Sequence, residues 1–149
     1  MSLSGWISCG KEEHVKELKI DARTDNLDQV IAFVDESLEE ADCSMKAQMQ
    51  IDVAVEEIFV NIAQYAYTPA VGEAVIRLDT ETAPGTVVIT FIDSGIPFNP
   101  LEVKEPDVTL SAKDRKVGGL GIFMVKRSMD EVIYEYTDNK NILTIKKKI

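Results

Sequence analysis

Residues 44–69 read SMKAQMQIDVAVEEIFVNIAQYAYTP, and this stretch decides the fold. A helix starts near Ser44 and runs to about Tyr67, where Thr68-Pro69 stops it because proline cannot continue the backbone ladder. Its later half is apolar nearly all round, through Ile51, Val53, Val55, Ile58, Phe59, Val60 and Ile62. A helix of that kind is expected to be buried. The exception is a polar stripe, because Glu57, Asn61 and Gln64 stand at i, i+4 and i+7 and share one face. An ionised glutamate in a core is costly unless paired or wetted, and asparagine offers a neutral oxygen of the type that suits magnesium. The same spacing also describes a helix edge reaching solvent or a satisfied structural network, so the stripe alone leaves both readings open.

Upstream, Val15, Leu18 and Ile20 suggest a short edge strand, and residues 21–26 a turn. Thr24 or Asp25 is placed to cap a second amphipathic helix, with Leu27, Val30, Ile31, Val34 and Leu38 inward and Asp28, Asp35, Glu36 and Glu39 outward. Downstream, residues 74–80 and 86–92 read as two strands, the second apolar on both faces like a central strand. Residues 93–117 are rich in proline, glycine and charge, roughly 25 residues without periodicity, as expected of a functional lid or a disordered loop. Gly118-Gly119 opens a helix to about Met129, and strands at 131–136 and 141–146 flank a turn at Asp138-Asn139-Lys140. The order strand, helix, helix, two strands, lid, helix, two strands predicts an α+β fold. Its expected form is a two-layer sandwich in which helices cover one face of a mixed, mostly antiparallel sheet.

The chain has 149 residues, 16 Lys plus Arg against 26 Asp plus Glu, and 45% hydrophobic residues. That is one ordinary core, with no need of disulfides or a structural metal. Residues 1–11 are read as an unstructured or expression-derived terminus and 12–149 as the domain. The net charge of −10 argues against attraction to nucleic acid or anionic lipid, while basic partners and small anions in a local positive pocket remain open. Cys9 and Cys43 form no paired motif. With no apolar run of about 18 residues and no signal-peptide pattern, the expected setting is the cytoplasm.

Two further segments carry candidate chemistry. Asp93-Ser94-Gly95-Ile96-Pro97-Phe98 follows the central strand directly. A carboxylate there can accept a hydrogen bond from an exocyclic amine, and the glycine lets a ring approach; an ordinary turn uses the same residues. Gly118-Gly119-Leu120-Gly121 opens a helix and is preceded by Lys113, Arg115 and Lys116. Backbone N–H groups and the dipole at such a helix start favour an anion, although a flexible hinge has the same composition. Gly5 to Lys11 mimics a phosphate loop, but Glu12 stands where a hydroxyl is required. His14, the only histidine, has no partner for a metal site or a thiol pair.

Taken in order, these segments resemble the histidine-kinase-like ATPase (GHKL) superfamily, and within it the anti-sigma-factor serine-protein kinases. Residues 54–61, AVEEIFVN, resemble the first ATP motif, residues 93–98 the second and residues 118–122 the third, with KNILTI closing the chain. The resemblance spans about Leu18 to Ile149 and implies the histidine-kinase-like ATPase fold. It implies that Asn61 binds the magnesium bridging the phosphates of ATP, and that Glu57 is the general base. It further implies Asp93 on the adenine amine, Gly95 beneath the ring, Thr144 assisting through water, Gly119 and Gly121 on the phosphates, and Arg115 or Lys116 neutralising charge. Tyr65 departs from the histidine that many relatives carry four positions after the magnesium-binding asparagine. The implied activity is transfer of the γ-phosphate to a serine of an anti-anti-sigma partner, with a sigma factor as a second partner and a homodimer as the common state. The alternative is an ATP-gated protein-binding module without physiologically relevant phosphotransfer. A third is a structural domain with an empty cleft.

Overall fold

The computed structural model describes residues 15–102 and 119–149. The elements follow as β1 (Lys16–Asp21), α1 (Leu27–Glu40), α2 (Met45–Asn61), β2 (Glu73–Asp79), β3 (Thr86–Asp93), α3 (Gly119–Ser128), β4 (Glu131–Thr137) and β5 (Lys140–Lys148). The five strands form one sheet in the order β1-β2-β3-β5-β4, and every neighbouring pair runs antiparallel. The fold is therefore α+β, with the three helices on one sheet face.

Strand alternation sets the two layers. Val87, Ile89, Phe91 and Asp93 of β3 are buried and lie beside Leu143 and Ile145 of β5 and Ala74, Ile76 and Leu78 of β2. Val30, Val34 and Leu38 of α1, Ile51, Val55, Ile58 and Phe59 of α2, and Val125 and Met129 close over that face. Phe59 and Phe91 are fully buried, each worth about 1.5–3 kcal/mol of burial. The opposite face of β3, with Val88, Thr90 and Ile92, is only half-buried. Its apolar character on both sides reflects the central position in the sheet rather than a layer on each side.

Helix ends follow local chemistry. Ser44 caps α2, its hydroxyl accepting from the Ala47 N–H at 3.2 Å. The expected cap at Thr24 or Asp25 is replaced by a single tight turn over Thr24–Asn26, after which α1 starts at Leu27 without a side-chain cap. Asn26 instead donates its side chain to the Asp21 carbonyl at 2.9 Å. The α-helical geometry of α2 ends at Asn61 and widens into one π turn, Ile62–Ala66, before the chain leaves toward β2. The expectation that the later, apolar half of α2 is buried is corrected at Val53, which lies on an exposed ridge with Met45 and Met49 of the first half. Met45, Met49 and Val53 are 72%, 61% and 63% exposed, because the sheet and the flanking helices cover only the opposite side. Between β4 and β5, Asp138 and Asn139 both adopt left-handed φ, of 53° and 62°, as a two-residue hairpin requires.

Candidate functional site

The i, i+4 spacing on α2 brings Glu57 and Asn61 together, and their side chains hydrogen-bond. Glu57 is half-buried, and burial raises its carboxyl above the usual glutamate range. The Asn61 bond opposes that rise and the charge of Glu56 adds to it. The Glu57 carboxylate lies against the first turn of α3. A Cβ on Gly121 would collide with that carboxylate, so only glycine permits the approach. Glu57 thus sits where the free backbone N–H groups of α3 begin. Widening into the π turn takes Gln64 off the stripe, and its side chain is exposed.

Asp93 ends β3 on the helix-covered face and is 6% exposed. Its Oδ1 accepts from the Gly95 N–H at 2.9 Å and from the Asn141 side-chain amide at 2.9 Å. Oδ2 accepts no hydrogen bond from the described residues. It is the acceptor left for an incoming amine. Gly95 packs so closely on the Ala66 backbone that a Cβ would overlap it, and the Ile96 N–H donates to the Ala66 carbonyl at 2.9 Å. The second motif is thereby tied to the π turn that follows Asn61. Glycine, carboxylate, amide and acid follow one another along a continuous edge of the molecule: Gly121, Glu57, Asn61, the Ala66 backbone, Gly95, Asp93.

Two residues of this edge had no signal in the sequence beyond their types. Asn141, 6% exposed, uses its side-chain bonding capacity on Asp93, the loop after β3 and Tyr134 of β4. Its amide donates to Asp93 and to the Ile96 carbonyl at 2.9 Å each, and its Oδ1 accepts from the Phe98 N–H at 3.1 Å and from the Tyr134 hydroxyl. Tyr67 donates to the Glu73 carbonyl and accepts from the Ser94 N–H, both at 2.7 Å. Burial is the main cause that lifts both phenols above their ordinary range, which keeps them protonated as donors. Asn141 belongs to the KNILTI stretch that carries the resemblance, and it is Asn141 of that stretch that bonds Asp93.

Thr144 is not brought to the edge. Asp93 pairs with Asn141 across β3 and β5, so residues 141, 143 and 145 share its face while Thr144 turns to the other, where its hydroxyl lies 3.4 Å from Thr90. Gly119 opens α3 as expected. Arg115 and Lys116 lie outside the described residues. A cavity of about 410 Å³ lies at the far end of the sheet, lined by Lys16, Glu40, Leu78, Gly85 and Ile149, and contains none of the candidate residues. Asn61 presents one neutral oxygen beside Glu57, the donor type magnesium uses when phosphate oxygens and waters fill its other positions. No helix among the described residues is long and apolar enough to cross a membrane.

Residues 20–147 match the family model of the histidine kinase-like ATPase domain. The chain belongs to that family. Membership in the histidine kinase-like ATPases implies ATP binding and accounts for the three segments meeting along one edge. A curated relative, the serine/threonine-protein kinase BtrW of Bordetella bronchiseptica, is 26% identical over 102 residues, which cover 68% of this chain and 71% of that protein. Among solved structures, the histidine kinase domain of the blue-light activated histidine kinase of Erythrobacter litoralis EL346 superposes with a TM-score of 0.51 at 15% identity. The match covers 84% of this chain and 60% of that one, so it speaks for the fold. These findings make an ATP-binding, kinase-like domain the coarse functional class.

Proposed function

We propose that the protein is a magnesium- and ATP-dependent serine-protein kinase of the anti-sigma-factor type. Its substrate would be a serine of an anti-anti-sigma partner, and a sigma factor would be a second, sequestered partner. The observation that carries this reading is the seating of the Glu57 carboxylate against Gly121 at the start of α3. It puts a basic group beside the N–H groups best placed to hold phosphate. A relative named as a serine/threonine-protein kinase supports the same class.

In this mechanism Asp93 Oδ2 takes the adenine amine and Gly95, held against the Ala66 backbone, lies beneath the ring. Gly119 and Gly121 hold phosphate oxygens, with Arg115 or Lys116 neutralising charge, and Asn61 would hold magnesium. When bound, the metal supplies positive charge to the phosphates and fixes their geometry. Glu57 orients the serine hydroxyl and accepts its proton as the bond from serine oxygen to the γ-phosphorus forms and the bond to the β,γ-bridging oxygen breaks, with ADP leaving. A carboxyl raised by burial is a stronger base than a free glutamate, which suits this role. Asn141 and Tyr67 act as positioning residues that hold the loop after Asp93. Most of the rate would come from placement and charge stabilisation.

The test is incubation with γ-labelled ATP, magnesium and an anti-anti-sigma protein encoded beside the gene, with the product analysed for phosphoserine. The reading predicts label on serine with the wild type and its loss in Asp93→Asn, through nucleotide affinity falling about 100-fold. ATP binding without label on any partner would overturn the kinase assignment in favour of the nucleotide-gated binding module.

A further inference from the structure

The outward ridge of α2 is unused by the nucleotide edge. Met45, Met49 and Val53 stand at i, i+4 and i+8 and form one exposed file about 12 Å long. Solvent-facing helix ridges normally carry polar side chains, and contiguous exposed apolar surface marks an interaction site. Methionine adapts its shape to whatever packs on it. On the neighbouring α3, Met124 is also exposed.

A second observation says what kind of partner fits. On the α1 side of the ridge, Asp35 and Asp52 meet carboxyl to carboxyl, and one oxygen of each, Oδ1, is buried without a hydrogen-bond partner. Helical spacing places Asp28 and Glu39 on the same face of α1 as Asp35. The ridge is thus bordered by a file of acids. Among the described residues no lysine or arginine pairs with any of the four; the ion pairs lie elsewhere, at Lys16–Glu40, Arg77–Glu17 and Lys146–Glu131.

We propose that this apolar ridge with its acidic border is the docking surface for a basic amphipathic helix of a second protein. Apolar side chains of that helix would cover Met45, Met49 and Val53, and its lysines or arginines would meet the carboxylates of α1. A second copy of this chain fits poorly, because a two-fold contact would lay the acid file on itself in a protein of net charge −10. The chain's own residues 1–14 also fit poorly, since Lys11 is outweighed by Glu12 and Glu13. The surface is separate from the nucleotide edge, so this inference does not depend on phosphotransfer.

The probe is a fluorescent peptide of about five helical turns built from leucine and lysine at amphipathic spacing, titrated into the full chain and followed by anisotropy. A peptide of the same composition in scrambled order controls for bare charge attraction. Binding of the patterned peptide should be at least about tenfold tighter than that of the scrambled one, and Met49→Ser/Val53→Ser should weaken it about tenfold. Glu39→Lys should weaken it independently and reduce its salt dependence. In methyl spectra, Met45 and Met49 should shift on binding while buried Met129 does not. Equal binding of the two peptides, or affinity unchanged in Met49→Ser/Val53→Ser, overturns the proposal. A dimer that Val53→Ser dissociates, or peptide binding that needs residues 1–14 removed, overturns it by naming a different occupant.

Discussion

Glu57 and Asp52 stand five residues apart on α2, and burial raises both carboxyls, yet their neighbours give them opposite characters. Glu57 has the Asn61 amide beside it and glycine at the start of α3 in front of it. A donor next to the carboxylate favours its charged form and opposes part of the rise that burial causes. Asp52 faces the acid of Asp35, and burial together with that contact pushes it up to about 7. Two carboxyls in contact hold one proton between them near neutrality, and the second charge is disfavoured. Nearby Cys43 is raised by burial and by the Asp52 charge, and supplies no cation. One helix thus carries one acid set against a donor and another set against a second acid. The lesson is that the group opposite, rather than burial itself, decides what a half-buried acid can do.

The strongest way to break the contrast is at Gly121. Gly121→Ala should displace the Glu57 carboxylate and lower phosphate transfer about 100-fold while nucleotide affinity changes far less, as measured by single-turnover transfer and by calorimetry. Transfer at the wild-type rate would mean that the carboxylate does not need its seat. Next comes the support of the adenine side. Asn141→Ala removes four hydrogen bonds, two to the loop after β3 and one each to Asp93 and Tyr134, and leaves buried groups without partners, so ATP affinity should fall about 10- to 100-fold with the fold retained.

The smallest effect sharpens the other half of the comparison. Because the folded-state pKa of Asp52 lies above its ordinary value of 3.8, the folded protein binds more protons than the unfolded chain between roughly pH 4 and pH 7. Stability contributed by this group is complete at the acid end of that window and is lost as pH rises through about 7. Asp52→Asn should flatten the dependence and add about 1–2 kcal/mol at pH 8 after allowance for solvent screening, with phosphate transfer unchanged within about twofold. Parallel urea-denaturation profiles of wild type and variant against pH check this, and an unaltered slope would remove the proton-sharing account of the pair.

What was legible in the sequence follows the range of the interactions. Glu57 and Asn61 are one turn apart, so helical period alone brings them together, and the glycine pair at 119 and 121 marks its own helix start. The order of elements along the chain and the layer of helices follow from alternation and turn residues, with strand boundaries moved by one or two positions. Residues that act through long-range pairing were not legible. Asn141 reaches Asp93 across 48 positions and Tyr67 reaches Ser94 across 27, and no local period announces either contact. Thr144 shows how sharply register decides. It lies three positions from Asn141, an odd step that turns it to the opposite face of the sheet. The apolar circumference of α2 signalled burial, but only packing reveals which ridge the sheet leaves uncovered. The Asp35–Asp52 contact likewise depends on how α1 lies against α2.

The central claim is that Glu57 is the base of a phosphotransfer to protein, and Glu57→Ala tests it most directly. Nucleotide binding by calorimetry and label transfer to the partner serine are measured on the same preparation. The account predicts ATP affinity within a few-fold of wild type and transfer reduced at least about 100-fold. Transfer at the wild-type rate with intact binding would contradict it.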